Sequence, residues 1–151
     1  MELHFRQAKA IDIKSLVKML ADDELGASRE DDSETLNNSY IDAFESIVID
    51  PNNELTVVES NGDLVGMLQL TFIPYLTHMG TWRCMIEGVR IARAHRGKGL
   101  GSRFIKWAIK RAGERECGIV QLTSDKQRKD EIRFYKSLGF GATHEGFKLK
   151  I

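Results

Sequence analysis

The dipeptide Asn61-Gly62 lies between two runs of strand character, Leu55-Thr56-Val57-Val58-Glu59-Ser60 and Asp63-Leu64-Val65-Gly66-Met67-Leu68-Gln69-Leu70. A two-residue type I′ turn needs positive φ at both central positions, and Asn-Gly tolerates this best, so the pattern predicts an antiparallel hairpin. Any fold for this chain must therefore contain a sheet, and the other segments are read outward from it.

Ahead of the hairpin, Leu3 to Ala8 alternates apolar and polar residues as a strand does, and Ile11, Leu16, Met19 and Leu20 recur near helical spacing. The stretch Asp22 to Glu34 holds seven acids against Arg29 alone, with Gly26 and Ser28 inside it, so the first helix should end there in a loop. Asp32 and Ser33 are N-cap candidates for a second helix with the apolar face Leu36, Tyr40, Ala43, Phe44 and Ile47, and Asp50-Pro51-Asn52-Asn53 stops it. Beyond the hairpin, Thr81 to Ile91 reads as a strand. Leu100, Phe104, Trp107, Ala108 and Ala112 share one face of an amphipathic helix ending near Gly118. Ile119 to Thr123 is a short strand, Asp130 to Leu138 a helix closed by Gly139, and Phe140 to Ile151 supplies one or two closing strands. The order β-α-α-β-β-β-α-β-α-β-(β) describes a mixed α/β (α+β) domain spanning residues 1–151, with one core expected at this length.

Charge and cysteine content narrow the function classes. Twenty-two basic residues balance twenty-two acidic ones, so no whole-chain field points to nucleic acid or an anionic membrane. No apolar run approaches the roughly 18 residues of a membrane span, and Met1 to Arg6 carries no leader pattern, so a cytoplasmic location is expected. Cys84 and Cys117 lack metal-type or CxxC spacing, and neither a disulfide nor a metal site is expected.

The segment Arg96-Gly97-Lys98-Gly99-Leu100-Gly101-Ser102 stands between a strand and a basic helix. Glycines let the backbone approach a ligand and adopt positive φ, and the free amides of a helix's first turn attract phosphate oxygens. A P-loop would need GxxxxGK[ST], which is absent, and a dinucleotide GxGxxG counted from Gly97 would need glycine where Ser102 stands. Residues 90 to 111 include Arg90, Arg93, Arg96, Lys98, Arg103, Lys106, Lys110 and Arg111 with no acid among them, a local field suited to a polyanion.

Val89 to Gly101, with its Arg96-Gly97-Lys98-Gly99-Leu100-Gly101 core, resembles the acetyl-CoA signature R/Q-x-x-G-x-G/A of the GNAT superfamily of N-acetyltransferases. Phe134-Tyr135-Lys136-Ser137-Leu138-Gly139-Phe140 resembles that family's FYxxxGF segment, one strand and one helix later. The resemblance covers nearly the whole chain. It implies a mostly antiparallel sheet of six to seven strands flanked by about four helices, and an acyltransferase using acetyl-CoA as co-substrate. It also implies that the amides of Arg96, Gly97, Lys98, Gly99, Leu100, Gly101 and Ser102 hold the diphosphate. The strand end Val89-Arg90-Ile91 belongs to the same site, main-chain groups at Val89 and Ile91 pairing with the pantetheine arm.

Acetyl transfer to an amine needs a neutral nucleophile, a stabilised oxyanion and a proton for the departing thiolate. Ile86-Glu87-Gly88-Val89 resembles the IEDV-like strand of many family members, which makes Glu87 the candidate base, directly or through a water. Tyr135 occupies the position at which many relatives present a phenol to the coenzyme sulfur as general acid. Glu87 is otherwise a surface carboxylate and Tyr135 a packed aromatic. Where many relatives carry Asn and Ala ahead of the FY pair, this chain has Arg128 and Glu131, so no side-chain contact to the coenzyme is carried over for that turn. The acidic run Asp22 to Glu34 would steer a cationic amine, or else serve as caps in a solvated loop. The stretch Phe72 to Glu87 and the segment Gly146-Phe147-Lys148 weakly resemble small-molecule members of the family, including those acetylating aminoalkylphosphonates. The acceptor is expected to be a small-molecule amine attacked directly, without an acyl-enzyme, and a homodimer is left open. A non-catalytic acyl-CoA-binding module and a protein N-terminal or lysine acetyltransferase are the alternatives. A nucleic-acid binder is disfavoured by the zero balance and by the lack of aromatics interleaved with the cations.

Overall fold

The computed structural model of the protein describes residues 1–151, in two units, Met1–Gln121 and Leu122–Ile151.

The first unit is built on one five-stranded sheet in the order β1-β2-β3-β4-β5: β1 His4–Gln7, β2 Asn53–Ser60, β3 Asp63–Pro74, β4 Trp82–Ile91 and β5 Ile119–Gln121. The expected hairpin is β2–β3, with φ of 53° at Asn61 and 83° at Gly62 as its turn chemistry requires. The pairs β1–β2, β2–β3 and β3–β4 are antiparallel, and β4–β5 is parallel.

Helices cover both faces. On the hairpin face carrying Leu68, Leu70 and Phe72, all at 1% exposure or less, lies α5 (Leu100–Glu114), whose Leu100, Phe104, Ile105, Ala108 and Ala112 are buried. A Cβ on Gly66 would come within 2.2 Å of the Phe104 ring, so glycine lets β3 and α5 meet closely there. Arg111 clamps the same helix to β2 through Glu54, donating from Nε to Oε2 at 3.0 Å and from Nη2 to Oε1 at 2.5 Å. The opposite face takes α1 (Ile13–Ala21), whose Leu16 packs with Val57 and Met67. Two more helices belong to this unit, α2 (Glu24–Arg29) and α3 (Asn38–Ile49), together with a single turn, α4 (Thr77–Gly80), in which His78 and Met79 are left-handed.

Three expectations need correction. The acidic stretch is not all loop, because Asp23 caps α2 by accepting from the Gly26 amide at 2.5 Å. The next helix starts later than Asp32-Ser33 implied: Asn37 is its cap and accepts from the Ser39 amide at 2.9 Å. The sheet has five strands rather than six to seven, and six helical segments replace the four expected, the two additions being the short α2 and α4.

The second unit holds α6 (Lys129–Ser137) and the segment that follows it. Gly139 ends α6 at φ 96°, with the Phe140 amide bonded to the Tyr135 carbonyl at 3.2 Å, as a C-terminal glycine does. No ladder forms over Phe140–Ile151, and residues 141–151 are all exposed, so the strand pattern there finds no partner within the chain. This is why the closing strands are missing.

Candidate active site

The site is opened by the divergence of two strands. β5 pairs with β4 only at Arg83, Cys84 and Met85, so from Ile86 to Ile91 β4 is paired on the β3 side alone. A bulge marks the point of departure. Gln69 faces Glu87 and Met67 faces Arg90, leaving Gly88 and Val89 opposite the single residue Leu68, with Gly88 at φ 60°. The strand end Val89-Arg90-Ile91 thus presents a half-open backbone edge of the kind to which an extended ligand can add hydrogen bonds.

Directly beyond β4 come one 3₁₀ turn, Arg93–His95, and the glycine segment. Gly97 and Gly99 have φ of 75° and 74°, and a Cβ at either would have no heavy atom within 4 Å. Their glycine character therefore answers to backbone conformation and an open approach, since no neighbour crowds them. Gly99 is the N-cap of α5. No side chain caps that end and no acid lies in the first turn, so the amides of Leu100, Gly101 and Ser102 and the positive end of a 15-residue helix face the cradle. Lys98 sends its Nζ to the Ala94 carbonyl at 3.2 Å, folding the loop upon itself. These features fit a diphosphate: backbone donors, a helix dipole and surrounding cations in one turn.

The arginines nearby are already engaged. Arg90 donates from Nη1 to the Val89 carbonyl at 2.8 Å and its Nε stands 3.7 Å from Asp23. Arg96 reaches the Ile91 carbonyl from Nε at 3.0 Å and the Asp22 carbonyl from Nη2 at 3.1 Å, and Arg93 pairs with the Asp22 carboxylate. The Arg93 guanidinium holds the Asp22 carboxyl below the usual carboxylate range. The start of the acidic run is therefore tied to the cradle, and an open cavity of about 360 Å³, lined by Lys18, Met19, Asp22, Asp32, Ala92 and Arg93, lies beside it. Farther along, Glu30 accepts from the Tyr40 hydroxyl at 3.0 Å, the Asp31 carboxylate accepts from the side chains of Ser33 and Asn37, and Glu34 pairs with Lys14 at 3.2 Å. Caps and pairs account for most of these acids.

Glu87 is exposed on β4, opposite Gln69. In the second unit Tyr135 is half-buried on α6, its ring meeting Phe134 at 5.1 Å and Phe140 at 5.9 Å, both edge-on. Arg128 and Glu131 pair at 3.0 Å. Cys84 is fully buried, which pushes its thiol up to about 12, and burial raises Cys117 as well. No helix is long and apolar enough to cross a membrane.

Residues 15–140 match the model of the acetyltransferase (GNAT) family, and the chain belongs to that family. It is 28% identical over 109 residues to the aminoalkylphosphonate N-acetyltransferase of Salmonella typhimurium, a match covering 72% of this chain and 70% of that protein. A crystal structure described as a transcriptional regulator from Bacillus halodurans C-125 is 51% identical, with a TM-score of 0.95 over 99% of this chain and 100% of the other. The predicted acetyltransferase of Clostridium acetobutylicum solved with acetyl-CoA shares the fold at 20% identity, with a TM-score of 0.75 over 99% and 96% of the two chains.

Proposed function

We propose that the protein transfers an acetyl group from acetyl-CoA to a primary amine of a small molecule, and that residues 1–151 act as one catalytic domain. The observation that carries this is the uncapped N-terminus of α5 behind Gly97 and Gly99, next to the half-open edge of β4. The family match runs across the boundary between the two units, which supports the single-domain reading.

In this reading the amides of Arg96 to Ser102 hold the diphosphate, and the main chain at Val89, Arg90 and Ile91 holds the extended arm. Acetyl-CoA, when bound, supplies the activated acyl group. An arm pairing with the main chain there would displace the Arg90 and Arg96 side chains from the carbonyls of Val89 and Ile91. Glu87 takes a proton from the acceptor ammonium, and Tyr135 donates one to the leaving sulfur. A buried Cys84 thiol pushed up to about 12 is a poor nucleophile at neutral pH, which supports direct attack without an acyl-enzyme.

A nucleic-acid role, as the description of the Bacillus protein would call for, fits less well. Arg111 on the basic helix is bound to Glu54 and Glu114, and Lys110 stands 3.8 Å from Glu114. The Salmonella relative makes aminoalkylphosphonates the first acceptors to try.

The test is a panel of primary amines incubated with acetyl-CoA while released thiol is measured. Turnover with at least one small amine is expected. Tight acetyl-CoA binding with no turnover on small amines, protein N-termini or lysyl peptides would favour a binding module.

A further inference from the structure

The sheet face that α1 only partly covers carries a row of polar side chains beyond Met67. Asn53, Gln69 and Thr71 lie on neighbouring strands with their side chains bonded together. Asn53 Oδ1 accepts from Gln69 Nε2 at 3.2 Å and from Thr71 Oγ1 at 2.8 Å, and Asn53 Nδ2 donates to Asp50 Oδ2 at 2.7 Å.

This chain of bonds determines which way each amide points. The Asp50 carboxyl is held below the usual carboxylate range by bonds from the Asn52 amide and the Asn53 side chain, so it accepts only. Asn53 must therefore offer it the NH₂ group, which leaves the Asn53 oxygen for Gln69 and Thr71. Gln69 in turn must offer its own NH₂ to Asn53. Its Oε1 takes no part in the network and remains an acceptor.

Gln69 directly faces Glu87 across the β3–β4 ladder, where Cβ atoms of opposed residues lie roughly 4.5–5.5 Å apart on one face. Gln69 is half-exposed and Glu87 exposed, so both are accessible to a ligand. A neutral acceptor beside a carboxylate, with no cation bonded to either, is chemistry for a group carrying several N–H donors.

We propose that Gln69 is the residue that recognises the acceptor amine: its Oε1 and the Glu87 carboxylate together receive N–H bonds from an incoming primary ammonium, and Asn53 is the positioning residue that keeps Oε1 turned outward. The proposal rests on the reading of Glu87 as base. When Glu87 takes one proton, the nitrogen keeps two N–H bonds and gains a lone pair. Gln69 holds one of the two N–H bonds and so fixes the direction of the lone pair. Tertiary and quaternary amines cannot make both contacts, so the site selects primary and secondary ones.

The test is NMR of the full chain, with labelled Gln and Glu side chains, titrated with ethylammonium, 2-aminoethylphosphonate and tetramethylammonium, each with and without coenzyme A. The expected result is a saturable shift of the Gln69 NH₂ pair and the Glu87 carboxyl by the two primary amines, and none by tetramethylammonium. Gln69→Met, close to Gln in shape, should weaken that binding by about tenfold or more, the loss of one charge-assisted bond, and Asn53→Ala should weaken it less, with coenzyme A affinity unchanged in both. Shifts at Glu87 without Gln69, equal response to tetramethylammonium, or no response to any amine would overturn the proposal. A Gln69 response that persists while Glu87→Gln leaves the pH profile of turnover unchanged would instead remove Glu87 from the base role and keep Gln69 in the site.

Discussion

Arg96, at the head of the glycine segment, donates from Nε to the main-chain carbonyl of Ile91 at 3.0 Å, closing the end of β4 with a side chain from the cradle itself. The same guanidinium reaches Asp22 at the end of α1. One arginine therefore links the strand edge and the cradle, neighbours in sequence, to the first acidic residues 74 positions earlier.

Gly99→Glu is expected to abolish acetyl-CoA binding, since it places a side chain and a negative charge where the cradle offers amides. Gly99→Ala separates conformation from charge: at φ 74° it should cost about 1–2 kcal/mol of stability and weaken the coenzyme while the fold persists. Calorimetry with acetyl-CoA and thermal melts check both, and unchanged affinity in Gly99→Glu would refute the placement.

Tyr135→Phe removes a hydroxyl and keeps the ring contacts with Phe134 and Phe140. Turnover should fall about 10²-fold or more if the phenol donates the proton, with acetyl-CoA affinity within about twofold of wild type, a change of about 0.4 kcal/mol. Equal losses in both would mark the residue as structural.

Glu54→Ala should destabilise the protein by about 2–4 kcal/mol, because it leaves Arg111 and Arg115 beside an emptied, buried position. As Glu54 pins α5 to β2, acetyl-CoA affinity should fall with it. Chemical denaturation measures the first effect, and a wild-type midpoint would show that the clamp contributes nothing.

Stability in acid should depend on Asp12. Its carboxyl is held below the usual carboxylate range by Arg6 at 2.8 Å and by the Lys9 amide at 2.7 Å. The contribution is complete above the unfolded-chain value of about 3.9 and is lost as pH falls through the lower folded value. Asp12→Asn should therefore cost about 1–3 kcal/mol at pH 7 and flatten the decline in stability below about pH 4. A variant whose acid profile parallels wild type would place the titration elsewhere.

Much of the frame was legible because short-range chemistry dictated it. Asn61-Gly62 set the hairpin, the stripe from Leu100 to Ala112 set the buried face of α5, and Gly139 closed α6. The closing strands were misread because Phe147, Leu149 and Ile151 have strand periodicity, which specifies a face but cannot supply a partner. Ile11, counted on the first helix's apolar face, sits instead in a 3₁₀ turn at 87% exposure. The roles of Asp22 and Asp23 beside Arg93, Arg96 and Arg90 depend on residues about 70 positions apart, beyond what local pattern reports. Gln69 did leave a trace, as a polar residue set among Met67, Leu68 and Leu70, yet only the register against Asn53 and Glu87 gives it meaning.

The most direct measurement is a crystal structure of the protein with acetyl-CoA. The diphosphate should be held by main-chain amides between Arg96 and Ser102, with the arm alongside Val89 to Ile91 and the Arg96 side chain withdrawn from the Ile91 carbonyl. Phosphates seated away from the α5 N-terminus, or a coenzyme that does not bind at all, would contradict the account.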